Sequence, residues 1–329
     1  MFEVWLFMLN SQQESLVIWR LLDGKPGHEK QSLGLVKSIQ DKVVCDCYDI
    51  PVKPQLDAWI NYFGSIWPQG NRLPLPDFII GAGHHTHLHL LAAKKAFGGK
   101  TIVMMRPSIP VSMFDLALIP QHDQYQGRGR LIETRGVLNP IKPEGAHHQD
   151  HALIMIGGQS RHFEWDNQIV LTQVESLLMQ NPSLQFTLTT SRRTPTGFLQ
   201  LLQQQLTQTL HKQLKIVPVE KTPNGWVEQQ LAQSAFAWIT EDSVSMVYEA
   251  LTAQVAVGVI NLKIKRENRV ANGVKQLLQN NLLVRFDHQG DYKANLRALI
   301  GFREADRCAN MILNEWHQEK GIQVQAVLA

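Results

Sequence analysis

From Leu16 onward the chain repeats one cycle: an apolar run, a break containing Gly, Pro or Asp, an amphipathic stretch, and another apolar run. Residues 16–22, 43–47, 77–80, 101–105 and 116–119 read as strands, with helical periodicity over 31–38 and 88–97 between some of them. A polar stretch from Lys142 to Asp150, containing Pro and Gly, interrupts the pattern. The cycle then restarts with strands over 152–156, 185–189, 214–219, 236–239 and 255–260, and residues 302–319 read as one amphipathic helix. Alternation of this kind predicts parallel sheets joined by crossover helices. The expected fold class is α/β, with two Rossmann-like domains facing a cleft, divided as 1–145 and 146–329. Such sheets bind ligands outside the carboxyl ends of their strands, so the corners that follow strands are where chemistry is expected.

One corner organises the second half. The apolar run Ala235-Phe-Ala-Trp-Ile239 is followed by Thr240-Glu-Asp-Ser-Val-Ser-Met-Val-Tyr-Glu249. Val244, Val247 and Leu251 fall on one helical face, and Asp242 or Ser243 is placed as the cap, so the corner predicts a helix N-terminus. Unpaired N–H groups at Ser243, Val244 and Ser245 attract a phosphate there. Glu249, on the turn after them, suits the vicinal hydroxyls of a ribose whose pyrophosphate rests on the corner. The same residues also fit a plain capped helix with a solvated glutamate.

Composition narrows the classes. The 329 residues suit two domains, and 44% hydrophobic against 19% charged residues is a globular balance. A formal net charge of +3 suits small anionic ligands or an anionic membrane surface better than a nucleic-acid duplex, and no basic stretch interleaved with aromatics appears. Nucleic acid is therefore not an expected partner. Three cysteines, two of them Cys45 and Cys47, make neither a disulfide framework nor a zinc knuckle, and a cytoplasmic location is expected. The first nine residues are apolar apart from Glu3, too short to span a bilayer, and without the flanks of a signal peptide. They fit a peripheral membrane contact, a packed strand or an upstream start site equally well.

Other strand ends carry candidate chemistry. Asp23-Gly-Lys-Pro-Gly-His28 follows the first main strand: Gly24 and Gly27 let the backbone approach a ligand, Lys25 adds charge, and His28 can act as a base near neutral pH. Gly81-Ala-Gly83 with His84 and His85 makes a second Gly-rich corner. His84, His85, His87 and His89 lack a carboxylate or cysteine at ligand spacing, which favours a polar pocket lining over a metal. In the second half, Gly157, Gly158, Ser160 and Arg161 form a loop suited to a diphosphate, and Ser191, Arg192 and Arg193 end the next strand. A paired Arg after a strand is usually a solvated turn. Three anion-friendly strand ends in one half favour a site.

These motifs also carry a resemblance. The ordered segments 23–34, Gly81-Ala-Gly83, 157–163, Thr190-Ser-Arg-Arg-Thr-Pro195 and 240–247 resemble the bacterial relatives of the plant mitochondrial fission factor named for elongated mitochondria, over about residues 16–284. That resemblance implies a GT-B-like fold and a glycosyltransferase role. The corner ending in Glu249 is similar to the donor-binding helix of the peptidoglycan N-acetylglucosaminyltransferase, where a Glu holds the nucleotide ribose. The 23–28 turn is similar to that enzyme's Gly-rich acceptor loop, with Lys25-Pro26 replacing part of the glycine run. The segment 263–269 lacks the Asp-Gln or Glu-Gln pair by which many such transferases read the sugar.

The combined expectation is a glycosyltransferase that needs neither metal nor cofactor. It would take a nucleotide-sugar donor and a glycolipid or polysaccharide acceptor of the cell envelope, peripherally on the inner face of the inner membrane. The donor side comprises Gly157, Gly158, Ser160, Arg161, Ser191, Arg192, Arg193, Glu241, Asp242, Ser243, Val244, Ser245 and Glu249. The acceptor-side loops comprise Gly24, Lys25, Gly27, Gly81 and Gly83, with His28 as base and Asp23 or His84 as substitutes. A non-catalytic membrane or assembly factor, and a nucleotide-sugar epimerase or hydrolase, are the rival readings.

Overall fold

The computed structural model describes residues 15–321 except 53–55, 144 and 266–268. The N-terminal apolar segment lies outside the described residues, as does part of the 263–269 run. The chain divides into two compact units. The described residues up to Pro140, together with those from Arg303 on, form the first, and Ile141–Phe302 form the second.

The first unit is built on six parallel strands: β1 (Leu16–Leu22), β2 (Cys45–Pro51), β3 (Phe78–Ala82), β4 (Lys100–Met104), β5 (Leu116–Pro120) and β6 (Leu131–Thr134). They lie in the order β2-β1-β3-β4-β5-β6. Helices α1 (Pro26–Gln40), α2 (Leu56–Gly64) and α3 (His87–Phe97) provide crossovers. Every residue of β3 and β5 is buried, as a parallel sheet covered on both faces requires.

The second unit has a sheet of six parallel strands, β7 (His148–Met155), β9 (Gln185–Thr189), β10 (Leu214–Val217), β11 (Ser234–Thr240), β12 (Ala256–Ile260) and β14 (Val284–Arg285). Their order is β10-β9-β7-β11-β12-β14. β8 (Phe163–Glu164) and β13 (Lys263–Ile264) form a separate antiparallel pair. Its helices are α4 (Asn167–Gln180), α5 (Phe198–Gln205), α6 (Gln208–Gln213), α7 (Trp226–Gln233), α8 (Val244–Thr252) and α9 (Arg269–Gln279). Val170, Val174, Leu177 and Leu178 of α4 pack with Ala152, Ile154, Phe186 and Leu188 of the sheet.

Two expectations change. The C-terminal helix Glu304–Lys320 packs on the first unit, not the second: Ala305, Cys308, Ala309, Ile312, Leu313 and Trp316 share a core with Leu35, Val36, Ile39, Ile80 and Ile102. An amphipathic face names no partner, and the division at 146–329 assumed the sequence neighbour. β7 also begins at His148, inside the stretch read as a linker, because backbone pairing of His148 with Ser234 and of His151 with Gln185 extends the strand through polar residues.

Candidate functional site

In the second sheet the strand order reverses between β7 and β11, which end side by side. A ligand crevice belongs at that point. Three loops converge there. Gly157 N–H donates to Thr240 Oγ1 at 2.7 Å and Gly158 N–H to Asp242 Oδ2 at 3.1 Å. Ser191 Oγ donates to the Gly157 carbonyl at 2.8 Å, and Thr194 Oγ1 to that of Ile156 at 3.2 Å. A Cβ added to Gly158 would lie 2.0 Å from the Arg193 carbonyl oxygen, and one added to Gly157 2.2 Å from Ser243 Oγ. The two glycines therefore let the loops close on one another. Their amides, expected to hold a diphosphate, are bonded inside the protein.

Arg193 is the staple of this junction. Its Nη2 lies 2.7 Å from Asp242 Oδ2 and donates to Ser243 Oγ at 2.9 Å, while Nη1 donates to the carbonyls of Gly158 and Gln159 at 3.3 and 3.2 Å. The Asp242 side chain is fully buried, and its Oδ1 has no hydrogen-bond partner among the described residues. Asp242 therefore faces inward instead of capping α8. Ser243 is the N-cap residue, without a side-chain capping bond. The first bond inside α8 runs from Val247 N–H to the Ser243 carbonyl at 3.1 Å, so the amides of Val244, Ser245 and Met246 precede any intrahelical acceptor. Ser245 at this end is exposed and Val244 half-buried.

The remaining donor-side candidates separate into two groups. Arg161 and Arg192 are exposed, and Ser160 Oγ holds its own turn by accepting from the N–H groups of His162 and Phe163 at 3.3 and 3.0 Å. Glu249 is 4% exposed. Glu241 is committed to the fold: Oε2 accepts from Leu262 N–H at 2.9 Å and Oε1 pairs with Arg285, tying β11 to the chain after β12 and to β14. Glu241, expected on the donor side, spends both carboxylate oxygens on this clamp while also lining the neighbouring cavity. Beside it lies a cavity of about 170 Å³ lined in part by Phe163, Ile264, Lys275 and Arg285.

The first sheet reverses between β1 and β3, where the two Gly-rich corners sit. α1 begins at Pro26, because proline suits the first helical position, so His28 belongs to its first turn and not to a loop before residue 31. His28 Nδ1 lies 2.8 Å from Asp23 Oδ2, with the Asp23 side chain fully buried and that of His28 20% exposed. A carboxylate only accepts, so Nδ1 is the donor, and in the neutral ring Nε2 carries the lone pair. Asp23 is thus the partner of His28, where the sequence offered it as a substitute. Gly83, at φ +84°, makes room for this pair: a Cβ there would lie 2.2 Å from His28 Nδ1. Gly24 and Gly27 border open space, Lys25 is exposed, and Gly81 packs internally against Thr86.

The histidines beyond this pair do separate jobs. His84 is exposed and meets His85 edge-on with ring centroids 3.9 Å apart; desolvation, then His85 and Lys25, hold its pKa below the usual range. His89 Nδ1 accepts from Trp67 Nε1 at 3.3 Å. No metal-ligating group of three His, Cys, Asp or Glu occurs among the described residues. The contact of His87 Nδ1 with Ser108 Oγ, 3.2 Å, went unread in the sequence, as did the positive φ of Met105 (+68°) just after β4. Burial, then the neighbouring His84 and His28, depresses the His87 pKa to about 4. The roles of the Thr240 and Thr194 hydroxyls were also unread, although for Thr240 its place at the end of an apolar run was the available signal.

The fold is that of GT-B glycosyltransferases and nucleotide-sugar epimerases. The UDP-GlcNAc 2-epimerase of Methanocaldococcus jannaschii superposes with a TM-score of 0.57 at 10% identity, covering 91% of this chain and 100% of that one. The S. aureus MnaA–UDP co-structure gives 0.53 at 13% identity over 94% and 98% of the two chains. The glycotransferase of kitacinnamycin gives 0.50 at 12% identity over 92% and 99%. The chain belongs to the mitochondrial fission ELM1 family, whose profile matches residues 26–316. An uncharacterised protein of Rickettsia prowazekii is 22% identical over 291 residues, 72% of this chain and 80% of its own length.

Proposed function

We propose that this protein binds a nucleoside-diphosphate sugar on its second unit and transfers the sugar to a hydroxyl of an envelope glycolipid or polysaccharide. The observation that carries this reading is the open N-terminus of α8 at the switch point of the second sheet, with Glu249 buried one turn deeper. The diphosphate rests on the amides of Val244 and Ser245, where the helix dipole favours negative charge. Arg193 lies beside it on the Asp242 staple, and the exposed Arg161 and Arg192 add charge as the leaving group develops it. Glu249 takes the ribose hydroxyls. In the reaction the bond from the anomeric carbon to the diphosphate breaks as the bond to the acceptor oxygen forms. The acceptor proton passes to His28 Nε2, with Asp23 holding the ring.

The UDP of the MnaA co-structure makes UDP and UDP-sugars the first ligands to try. Thermal shift and calorimetry on the wild type and Glu249→Ala test the donor site. A ligand at about a hundred times its Kd stabilises by about 2.7 kcal/mol, and this stabilisation is expected in the wild type and lost in the variant. No shift with any nucleotide at millimolar concentration sinks the donor reading and favours a non-catalytic protein. The likeness to the 2-epimerases favours a second reading, in which the protein converts the donor alone. Turnover of a UDP-sugar without acceptor selects it.

A further inference from the structure

The first unit carries an apolar face that the described residues leave uncovered. On α2, Trp59, Ile60 and Phe63 are 48, 65 and 72% exposed, and Ile66, just past the helix, is 52% exposed. Trp59, Ile60 and Phe63 share one side of the helix. Trp59 and Phe63 stack with centroids 5.9 Å apart, Ile60 lies one turn from Phe63, and Ile66 folds back so that its N–H donates to the Asn61 carbonyl at 3.1 Å. The opposite side of the helix is anchored, with Ala58 and Asn61 buried. The exposed side is thus a fixed feature of the fold. Large apolar side chains scattered singly are ordinary, whereas a cluster of this kind marks a contact.

A cation stands beside it. Lys95 of α3 sits over the Tyr62 ring at 5.0 Å, and the loop that leaves α2 carries the exposed Arg72 and Leu75. We propose that this face docks the protein on an anionic phospholipid bilayer, with Trp59, Ile60, Phe63 and Ile66 entering the headgroup boundary and Lys95 and Arg72 meeting lipid phosphates. Trp and Phe on a short helix with basic neighbours suit an interface that is apolar on one side and anionic on the other. A second copy suits the face less well, because a two-fold contact sets a patch against itself and brings its like charges together. No helix among the described residues is long and apolar enough to cross a membrane, so this mode is a surface contact. The face is independent of the donor site and stands or falls without it.

The test is co-sedimentation of the full chain with vesicles of phosphatidylcholine alone, or of phosphatidylcholine with about a third phosphatidylglycerol. Binding to the anionic vesicles is expected, weak or absent on the neutral ones. The variant Trp59→Ser with Phe63→Ser lowers the bound fraction at least fivefold, and Lys95→Glu lowers it while leaving the apolar face intact. All three positions are exposed, so unchanged melting temperature and circular dichroism confirm folding. If the wild type ignores anionic vesicles, or the double variant binds them as well as the wild type, the proposal is overturned. A concentration-dependent dimer in sedimentation velocity that the double variant abolishes, without vesicle binding, assigns the face to a second copy and also overturns it.

Discussion

His87 is buried and neutral, and its consequence for stability has a definite sign. Its pKa is about 4 in the folded protein against 6.5 for an ordinary histidine, so the unfolded chain takes up a proton first as the pH falls. The two states bind equally few protons at this site above pH 6.5. Stability is therefore lost progressively between about pH 6.5 and pH 4, by at most about 3 kcal/mol. His87→Gln is expected to flatten that part of the stability-versus-pH curve, read by denaturant unfolding at a series of pH values. The pair of Arg193 with Asp242 behaves differently. Arg193→Ala strands a fully buried carboxylate and is expected to destabilise by roughly 3 kcal/mol, while Arg193→Ala with Asp242→Ala together destabilises less than the single change. A double-mutant cycle that shows simple additivity refutes the staple.

Loops and helix ends set the site at the scale of elements. The β7 and β9 corners touch through Gly158, whose missing Cβ leaves 2.0 Å to a backbone carbonyl that has no rotamer to move. Gly158→Ala is expected to cost about 1–3 kcal/mol and to abolish nucleotide stabilisation, because the junction must open to admit the methyl group. The α1 corner depends on the same kind of approach at Gly83. Gly83→Ala meets His28 directly and also places alanine at φ +84°, so it is expected to remove the effect of His28 on transfer rate without weakening donor binding. Measuring the donor Kd and the transfer rate in the same variant separates the two roles.

The C-terminal helix ties the end of the chain to the first unit through a buried apolar stripe and ion pairs: Arg130 with Glu315, Lys100 with Glu319, and Lys320 with Asp77. Trp316→Ala removes the largest of those apolar groups and is expected to destabilise the first unit by roughly 3–5 kcal/mol. In a calorimetric scan that loss lowers one of two transitions. A UDP-stabilised second transition that stays in place confirms that the helix serves the first unit alone.

The sequence by itself determined the class of fold, because alternation of apolar runs with helical periodicity reports which backbone groups pair locally and which side chains face a core. It also marked the strand-end corners that carry the candidate sites, since polar and glycine-rich corners after strands are local signals: Asp23 to His28, Gly157 to Arg161, Ser191 to Arg193, and Asp242 to Glu249. Only the tertiary structure decided how those residues divide the work. Asp23 orients His28, Glu241 and Asp242 face inward, and Gly157 and Gly158 close a junction, because each role depends on a partner 5 to 84 residues away. It likewise decided that the last helix returns to the first unit and that α2 leaves Trp59 and Phe63 uncovered, since a periodicity marks an apolar face but not what covers it.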